Sequence, residues 1–408
     1  MRILWLKNEL LHPVDKGGKI RTYNMLKHLG QDHQITYLAL APRGVDPACI
    51  ASAEEYCDRL VTVEWEPAGR SGPGFYFDLA RNLGSPIPYA IHKYRTDRMR
   101  GAIRTELARS RHDLLVCDFL TPSINVPRPL SIPSLLFQHN VESSIWRRHY
   151  ENENSRLRKA YFYTQWRRMT AYEGTAIHWF DSVVAVSSTD RDFMRKEYGG
   201  ARVYDVATGV DADYFKPAGG AIDPFGVVFC GSMDWMPNDD AAFYFFKSIL
   251  PKIEEEIPDI TFTVVGRNPS SRLRALARTN SRLIVTGAVD DVRPYVDRGA
   301  CYVVPLRVGG GTRLKIFEAM AMGKPVVSTS LGAEGLPLAS GEDLLLADDP
   351  VSFARAVVRI LSERSLAERL GATARARVND RFGWDSVTAE FAEICERTVF
   401  DGPKSQAA

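Results

Sequence analysis

The stretch "RVGGGTRLKIFEAMAMGKPVVST" (307–329) decides how this chain is read. An apolar run, "CYVVPL" (301–306), leads into it. Three glycines follow, Gly309, Gly310 and Gly311, and then a helical pattern that stops at Gly323, just before Pro325. A second apolar run, "PVVSTS" (325–330), comes next. Strand, turn, helix and strand in that order make a parallel βαβ unit. Glycine loses more freedom on folding than any other residue, so three together at the start of a helix need a reason. Thr312 is a candidate N-cap. Free N–H groups and the positive dipole end make such a turn an anion site. Arg313 and Lys315 add formal charge, and Glu318 shares the face of Lys315 one turn on. A carboxylate there is repelled by phosphate yet accepts hydrogen bonds from ribose hydroxyls. The plainer reading is a flexible turn followed by an acidic residue that suits the first half of a helix. The pattern is neither G-x-G-x-x-G nor a P-loop.

Outward from this stretch the same texture repeats. "GVVFCG" (226–231), "TFTVVG" (261–266) and "LIVTGA" (283–288) read as strands, with a helix at 238–257. Each ends on glycine: Gly231-Ser232, Gly266-Arg267 and Gly287-Ala288-Val289. Such glycines let backbone approach a ligand, though glycine often simply ends a strand. The first half alternates likewise, with "RILWL" (2–6), a helix at 19–29, "QITYLAL" (34–40), "LLVCDF" (114–119), "SLLFQHN" (134–140) and "SVVAVS" (182–187). "DVATGVDADYFKPAGGAIDPFG" (205–226) is rich in Gly, Pro and Asp and reads as a linker. Two successive α/β units imply two Rossmann-like domains, 1–215 and 216–384, with a cleft as the default site. A tail of amphipathic helices ends the chain, and its last helix, about 385–400, is expected to return to the first domain.

The first half holds its own candidates. "DKGGKIR" (15–21) puts Gly17 and Gly18 at the start of a helix, either as a ligand loop or as a tight turn. His139 follows a strand and reads equally as a site residue or as a hydrogen-bonded structural histidine. "DRD" (190–192) and "DAD" (211–213) look like metal ligands, but capping explains both better, and no metal is expected. "IWRRHYENENSRLRKAYFYTQWRRM" (145–169) interleaves aromatics with Arg and Lys. That composition suits a helix lying on a membrane surface, or a solvated helix packing its aromatics on the core.

Composition narrows the classes. The 408 residues exceed one compact core. A net charge of +2 gives no footprint for nucleic acid. Six scattered cysteines contain no C-x-x-C pair, so zinc and redox motifs lack support and a reducing cytoplasm fits. No signal peptide and no spanning helix are visible.

These motifs, with "TGVDADYFKP" (208–217), "VVGR" (264–267) and "VTGAVDDVRPY" (285–295), occur in an order that resembles family 4 of the retaining glycosyltransferases, on the GT-B fold. The resemblance spans nearly the whole chain and is strongest over 208–386. It implies two Rossmann-like domains facing across a cleft, with a nucleotide-sugar donor held mainly by the second. The donor is a UDP-sugar, with GDP-mannose next. The acceptor is a glycan or lipid-linked glycan, and the setting is the cytoplasm or the inner membrane face. No cofactor is implied; a phosphorylase would need pyridoxal phosphate. By position, Glu318 matches the donor-ribose ligand, and Gly309, Gly310, Gly311 and Thr312 the loop over sugar and diphosphate. Val289 matches the base-binding edge, Gly17 and Gly18 the N-terminal glycine loop, and His139 a histidine near the donor sugar. Gly231, Ser232, Gly266, Arg267 and Gly287 complete the donor set. Two departures stand out. Gly310 occupies the place of a glutamate, and "GSMDWMPNDD" (231–240) replaces an arginine and a lysine with acidic residues. Arg313 and Lys315 are therefore expected to supply the catalytic positive charge. A sugar-nucleotide epimerase or a non-enzymatic binding module would share the same donor site.

Overall fold

Each half of the chain lays its apolar runs side by side in a parallel sheet. The chain is described by a computed structural model over residues 1–66, 72–109, 111–309 and 314–403. It divides into two units: Met1–Val206 with the segment from Thr388 on, and Ala207–Val387.

The first unit contains β1 (Arg2–Lys7), β2 (Gln34–Ala41), β3 (Arg59–Glu64), β4 (Leu114–Asp118), β5 (Ser134–Phe137), β6 (Ser182–Ala185) and β7 (Val203–Asp205). Their order is β3-β2-β1-β4-β5-β6-β7, and every pair is parallel. The order reverses between β1 and β4. Both are apolar without alternation because both sheet faces are covered, and every residue of β4 is buried. Two strands escaped the sequence reading. β3 is the edge strand and is largely half-exposed, and β7 has three residues, so neither makes a long apolar run.

The second unit contains β8 (Asp223–Cys230), β9 (Thr261–Val265), β10 (Leu283–Val285), β11 (Gly299–Val304), β12 (Val326–Ser328) and β13 (Leu345–Leu346). The order is β10-β9-β8-β11-β12-β13, with the reversal between β8 and β11. β13 has two residues, too few to show in the sequence pattern. The helix expected over 238–257 begins at Met236 and carries a π turn at Phe245–Ile249 before Leu250–Glu254. Pro251 has no N–H to give a regular turn, and the wider π turn accommodates that loss.

The final helix, Trp384–Asp401, belongs from Thr388 onward to the first unit. Phe391 packs on Trp5 and Phe137, with ring centroids 5.7 and 5.0 Å away. Thr398 donates to the Ser182 hydroxyl at 2.8 Å. The last helix thus packs on the first sheet.

The basic aromatic stretch forms a helical hairpin, Glu142–Asn152 and Arg156–Ala176, rather than one amphipathic helix. Tyr150 stacks on Trp166 at 5.7 Å, and His149 on Phe162 at 5.5 Å. Much of the aromatic content therefore joins the two helices to each other. Leu157 and Tyr163 remain outside, 86% and 46% exposed.

Candidate active site

In open α/β sheets, ligands settle beyond the carboxyl ends of the strands where the order reverses. In the second unit those strands are β8 and β11. Gly231 follows β8, and Arg307 and Gly309 lie beyond β11. Lys315 reaches this place from the first turn of helix Leu314–Ala321. Its ammonium donates to Asn238 Oδ1 at 2.7 Å and lies 4.4 Å over the Phe229 ring. A Cβ on Gly231 would stand 2.8 Å from Lys315 Nζ and 2.6 Å from Asn238 Nδ2. Glu318 lies one turn further along the same helix. Burial pushes its carboxyl up to about 7, while Lys315 pulls the other way.

The strand-end glycines differ in purpose from the sequence reading. Gly266 has φ +153, and a Cβ there would strike the carbonyl of Gly231. Gly231 N donates to Val265 O at 2.9 Å, and Gly266 N to Gly287 O at 3.2 Å. The backbone of three neighbouring strand ends is knit together, so Gly231 and Gly266 are small for internal reasons. Gly309 is different. Its φ of +106 suits glycine, and it lies against Pro237 and the half-exposed Trp235. Val289 packs half-buried against the core of the unit.

The acidic loop after β8 is neutralised from its neighbours. Asp234 meets Arg267 at 4.0 Å, Asp239 meets Arg272 at 2.8 Å, and Asp240 meets Arg307 at 2.8 Å. Ser232 joins the first of these pairs, accepting from Arg267 Nε at 2.8 Å and donating to Asp234. The departure from the family pattern thus adds little uncompensated negative charge. Gly310, Gly311, Thr312 and Arg313 lie outside the described residues.

In the first unit the reversal lies between β1 and β4, and each strand ends on a charge. Lys7 is 1% exposed and Asp118 fully buried. Lys7 Nζ donates to Asp118 Oδ2 at 2.9 Å and to Thr22 Oγ1 at 2.8 Å. Thr22 and the Trp5 indole also donate to Asp118, at 2.6 and 3.0 Å. The second carboxylate oxygen lies 2.7 Å from His139 Nε2. Burial holds His139 neutral, pushing it down to about 3 against the pull of Asp118. The adjacent cation Lys7 holds Asp118 well below the usual carboxylate range, against its burial. A neutral imidazole facing a carboxylate carries its proton on Nε2. Nδ1 is then an acceptor, buried and without a partner among the described residues.

Gly17 opens helix Gly17–Leu29, whose first N–H groups have no acceptor within the helix. A Cβ on Gly18 would lie 2.8 Å from the Phe119 ring and 4.0 Å from His139 Nδ1. Phe119 itself has φ 74, the left-handed region that a bulky residue rarely adopts. Its ring stacks on His139 at 3.9 Å and under Lys7 at 4.3 Å. Strain of this kind is held only where the surroundings over-determine it. The structure therefore brings Gly17, Gly18 and His139 together. It adds Lys7, Asp118 and Thr22, which the sequence reading missed. A lysine and an aspartate, each closing an apolar run, were the available signal.

The aspartates of "DRD" lie in the first turns of a helix, and Asp211 of "DAD" lies in a local turn. Ser187 caps helix Ser188–Tyr198 by accepting from Asp190 N at 3.1 Å, and Asp211 accepts from Tyr214 N at 2.8 Å.

The profile described as "Glycosyl transferases group 1" matches residues 224–363, the part that holds β8 to β12 and helix Leu314–Ala321. Residues 224–363 of the chain thus carry a group 1 glycosyltransferase domain. A protein from Klebsiella pneumoniae, described as an uncharacterized 44.6 kDa protein in the cps region, is 22% identical over 88% of this chain and 90% of its own. A phosphatidyl-myo-inositol mannosyltransferase from Mycobacterium tuberculosis is 29% identical over 59% of this chain and 66% of its own. Among solved structures, sucrose-phosphate synthase from Thermosynechococcus elongatus superposes with a TM-score of 0.72 at 16% identity, covering 98% of this chain and 99% of the synthase. Anabaena HepE in complex with UDP and glucose gives 0.65 at 13% identity, covering 97% and 100%. These likenesses carry the fold, which is GT-B.

Proposed function

We propose that this glycosyltransferase moves a sugar from a nucleotide-diphosphate sugar, a UDP-sugar ahead of GDP-mannose, to a hydroxyl of a glycan or lipid-linked glycan. The anomeric configuration is retained, no metal takes part, and the setting is envelope or exopolysaccharide biosynthesis. The observation that carries this reading is the placement of Lys315 and Glu318 beside the carboxyl ends of β8 and β11. Lys315 offers charge to the diphosphate, and Glu318 offers acceptor oxygens to ribose. The complex of HepE with UDP and glucose, the mannosyltransferase relative and the relative from a cps region support it.

In the reaction, the bond from the anomeric carbon to the diphosphate oxygen breaks. The acceptor oxygen bonds to the same face, and its proton passes to the departing phosphate. Charge develops on the leaving group, so a fixed cation nearby lowers the barrier. Asp234, Asp239 and Asp240 are each engaged by an arginine, which supports a path without a carboxylate nucleophile. His139 holds a buried acceptor nitrogen without a partner among the described residues, and Gly17 and Gly18 offer backbone N–H groups. Positioning is the rest of the protein's work.

A thermal-shift screen tests the donor. UDP and a UDP-sugar should raise Tm more than GDP or GDP-mannose. A ligand at 100 times its Kd adds about 2.7 kcal/mol of stability. No shift with any nucleotide would sink the reading, and an epimer formed from donor alone would replace it with the epimerase. Retention is read from the anomeric coupling constant of the product by NMR.

No helix among the described residues is long and apolar enough to cross a membrane. The hairpin Glu142–Asn152 and Arg156–Ala176 instead offers a surface contact. Leu157 is exposed at its tip, beside Arg156 and Lys159. The protein should co-sediment with anionic vesicles at low salt and less so at high salt, and Leu157→Glu should weaken this severalfold. Equal recovery with neutral vesicles would count against a peripheral location.

A further inference from the structure

The loop after β8, "GSMDWMPNDD" (231–240), carries no lysine or arginine of its own, and its acids are engaged by Arg267, Arg272 and Arg307. One polar side chain of the loop turns inward instead. Asn238 stands in the first turn of helix Met236–Tyr244 and is 4% exposed. It lies 77 positions from Lys315 in the chain, yet the fold places the two side chains together.

Both ends of the Asn238 amide are occupied. Oδ1 accepts from Lys315 Nζ at 2.7 Å, and Nδ2 donates to Ser232 O at 2.9 Å. The backbone N of Asn238 donates to Trp235 O at 2.9 Å, which ties the residue to the loop a second time. These partners allow one orientation of the amide. Turned over, it would set its NH2 against an ammonium and its oxygen against a carbonyl. The space is equally specific. A Cβ on Gly231 would stand 2.6 Å from Asn238 Nδ2 and 2.8 Å from Lys315 Nζ, so a side chain there would drive the pair apart. The Phe229 ring adds a cation–π contact, 4.4 Å from the ammonium.

A lysine stem is flexible, and its ammonium is only as well placed as its surroundings make it. Ordering it during folding removes that cost from ligand binding. A carboxylate at position 238 would order the ammonium too, but would cancel its charge. A neutral amide orients the ammonium and leaves the charge to act on an anion. The departure of this loop from the family pattern thereby gains a purpose. The loop brings no cation, but it brings the fixed acceptor for a cation that arrives from the helix after β11.

We infer that Asn238 is a positioning residue, which holds the half-buried Lys315 ammonium where it meets the distal phosphate of a nucleoside diphosphate. That phosphate takes up the new charge when the sugar leaves, so a fixed cation acts most strongly there. The inference rests on the transferase reading.

The test is calorimetric titration of the full chain with UDP and UMP, which differ by the distal phosphate alone. The parent should bind UDP at least about tenfold tighter than UMP. Asn238→Ala should reduce that ratio about tenfold, the scale of one hydrogen bond to a charged group. Its affinity for UMP should equal the parent's, which reports an intact fold and an intact base site. Asn238→Leu fills a similar volume with neither polar end, and should behave alike where alanine loosens the loop. In a Lys315→Ala background, Asn238→Ala should cost nothing further, because a residue that acts through Lys315 has nothing left to hold. The inference is overturned if the parent does not prefer the diphosphate, if the Asn238 variants keep the parent's ratio, or if UMP weakens as much as UDP. It is also overturned if the double variant loses the full product of the two single losses, since Asn238 would then act independently of Lys315. GDP and GMP take the same places if guanine nucleotides give the larger thermal shift. Failure of the parent to bind any of the four removes the transferase reading and this inference with it. Nucleotide binding with an unchanged ratio in the Asn238 variants removes this inference alone.

Discussion

Replacing Lys315 by alanine is expected to lower kcat/KM for the donor by about two to three orders of magnitude, the scale seen when one fixed stabiliser of transition-state charge is removed. The ammonium is held by Asn238 at 2.7 Å and lies over Phe229, so it is ordered before any ligand arrives. A charge that is already in place needs no reorganisation when the diphosphate departs. Lys315→Gln separates charge from hydrogen bonding, because it can still donate to Asn238. It should fold like the parent, lose most of the activity and bind UDP more weakly. Lys315→Arg should not rescue, since Gly231 and Asn238 leave no room for a larger head. Lys315 is also the cation that pulls the Glu318 carboxyl down, so either neutral variant should move that group above about 7. Any pH dependence of donor binding that follows Glu318 then shifts upward. A full steady-state comparison with UDP-sugar as donor checks this, and donor KM and kcat equal to the parent's would refute it.

Asp118→Asn is expected to destabilise the first unit by about 3–5 kcal/mol, the range for stranding one partner of a buried ion pair. Lys7 would remain 1% exposed with no anion, and Trp5, Thr22 and His139 would lose their common acceptor. Urea unfolding at neutral pH measures the change, and a loss below about 1 kcal/mol would show that the network is not a structural centre. The pH dependence follows from two depressed groups. His139 stays neutral in the fold down to about 3, against a reference near 6.5 for an unfolded histidine. Asp118 likewise stays ionised below its usual range. From about pH 3 to 6.5 the unfolded chain binds the extra proton at His139, so stability should rise with pH there. Asp118 adds to that slope only from about its reference of 3.9 downward. Below the folded values both contributions are gone. Substituting Asp118 removes the one carboxylate that draws a proton to His139, so its pKa should fall further.

Much of the architecture was legible in the chain because long apolar runs leave few alternatives to buried parallel strands. β1, β2, β4, β8 and β9 were all visible in this way. β3, β7 and β13 were not, since an edge strand or a two- or three-residue strand buries too little to leave a pattern. The candidate site divides similarly. Lys315 and Glu318 could be placed on one helical face from their spacing. His139 could be noticed as a residue just past a strand. Its partner Asp118 is 21 positions away in sequence and reaches it only because β4 and β5 are neighbours.

The tertiary structure also changed what some residues are for. Gly231 and Gly266 looked like openings for a ligand, yet each is small because backbone or a side chain of the same unit fills the space. The acids after β8 looked like a barrier to a diphosphate, yet each finds an arginine from a different segment, Arg267, Arg272 or Arg307.

Periodicity and glycine placement therefore determined the fold class, the donor-side helix and the expectation of an anion site, and the resemblance of the ordered motifs supplied the nucleotide sugar. These are local properties, set by hydrophobic burial and by backbone conformation over a few residues. Only the tertiary structure decided which charges cancel and which histidine nitrogen is left without a partner among the described residues. Those depend on side chains far apart in sequence, whose charges act strongly on one another only after folding has brought them together and removed the water between them.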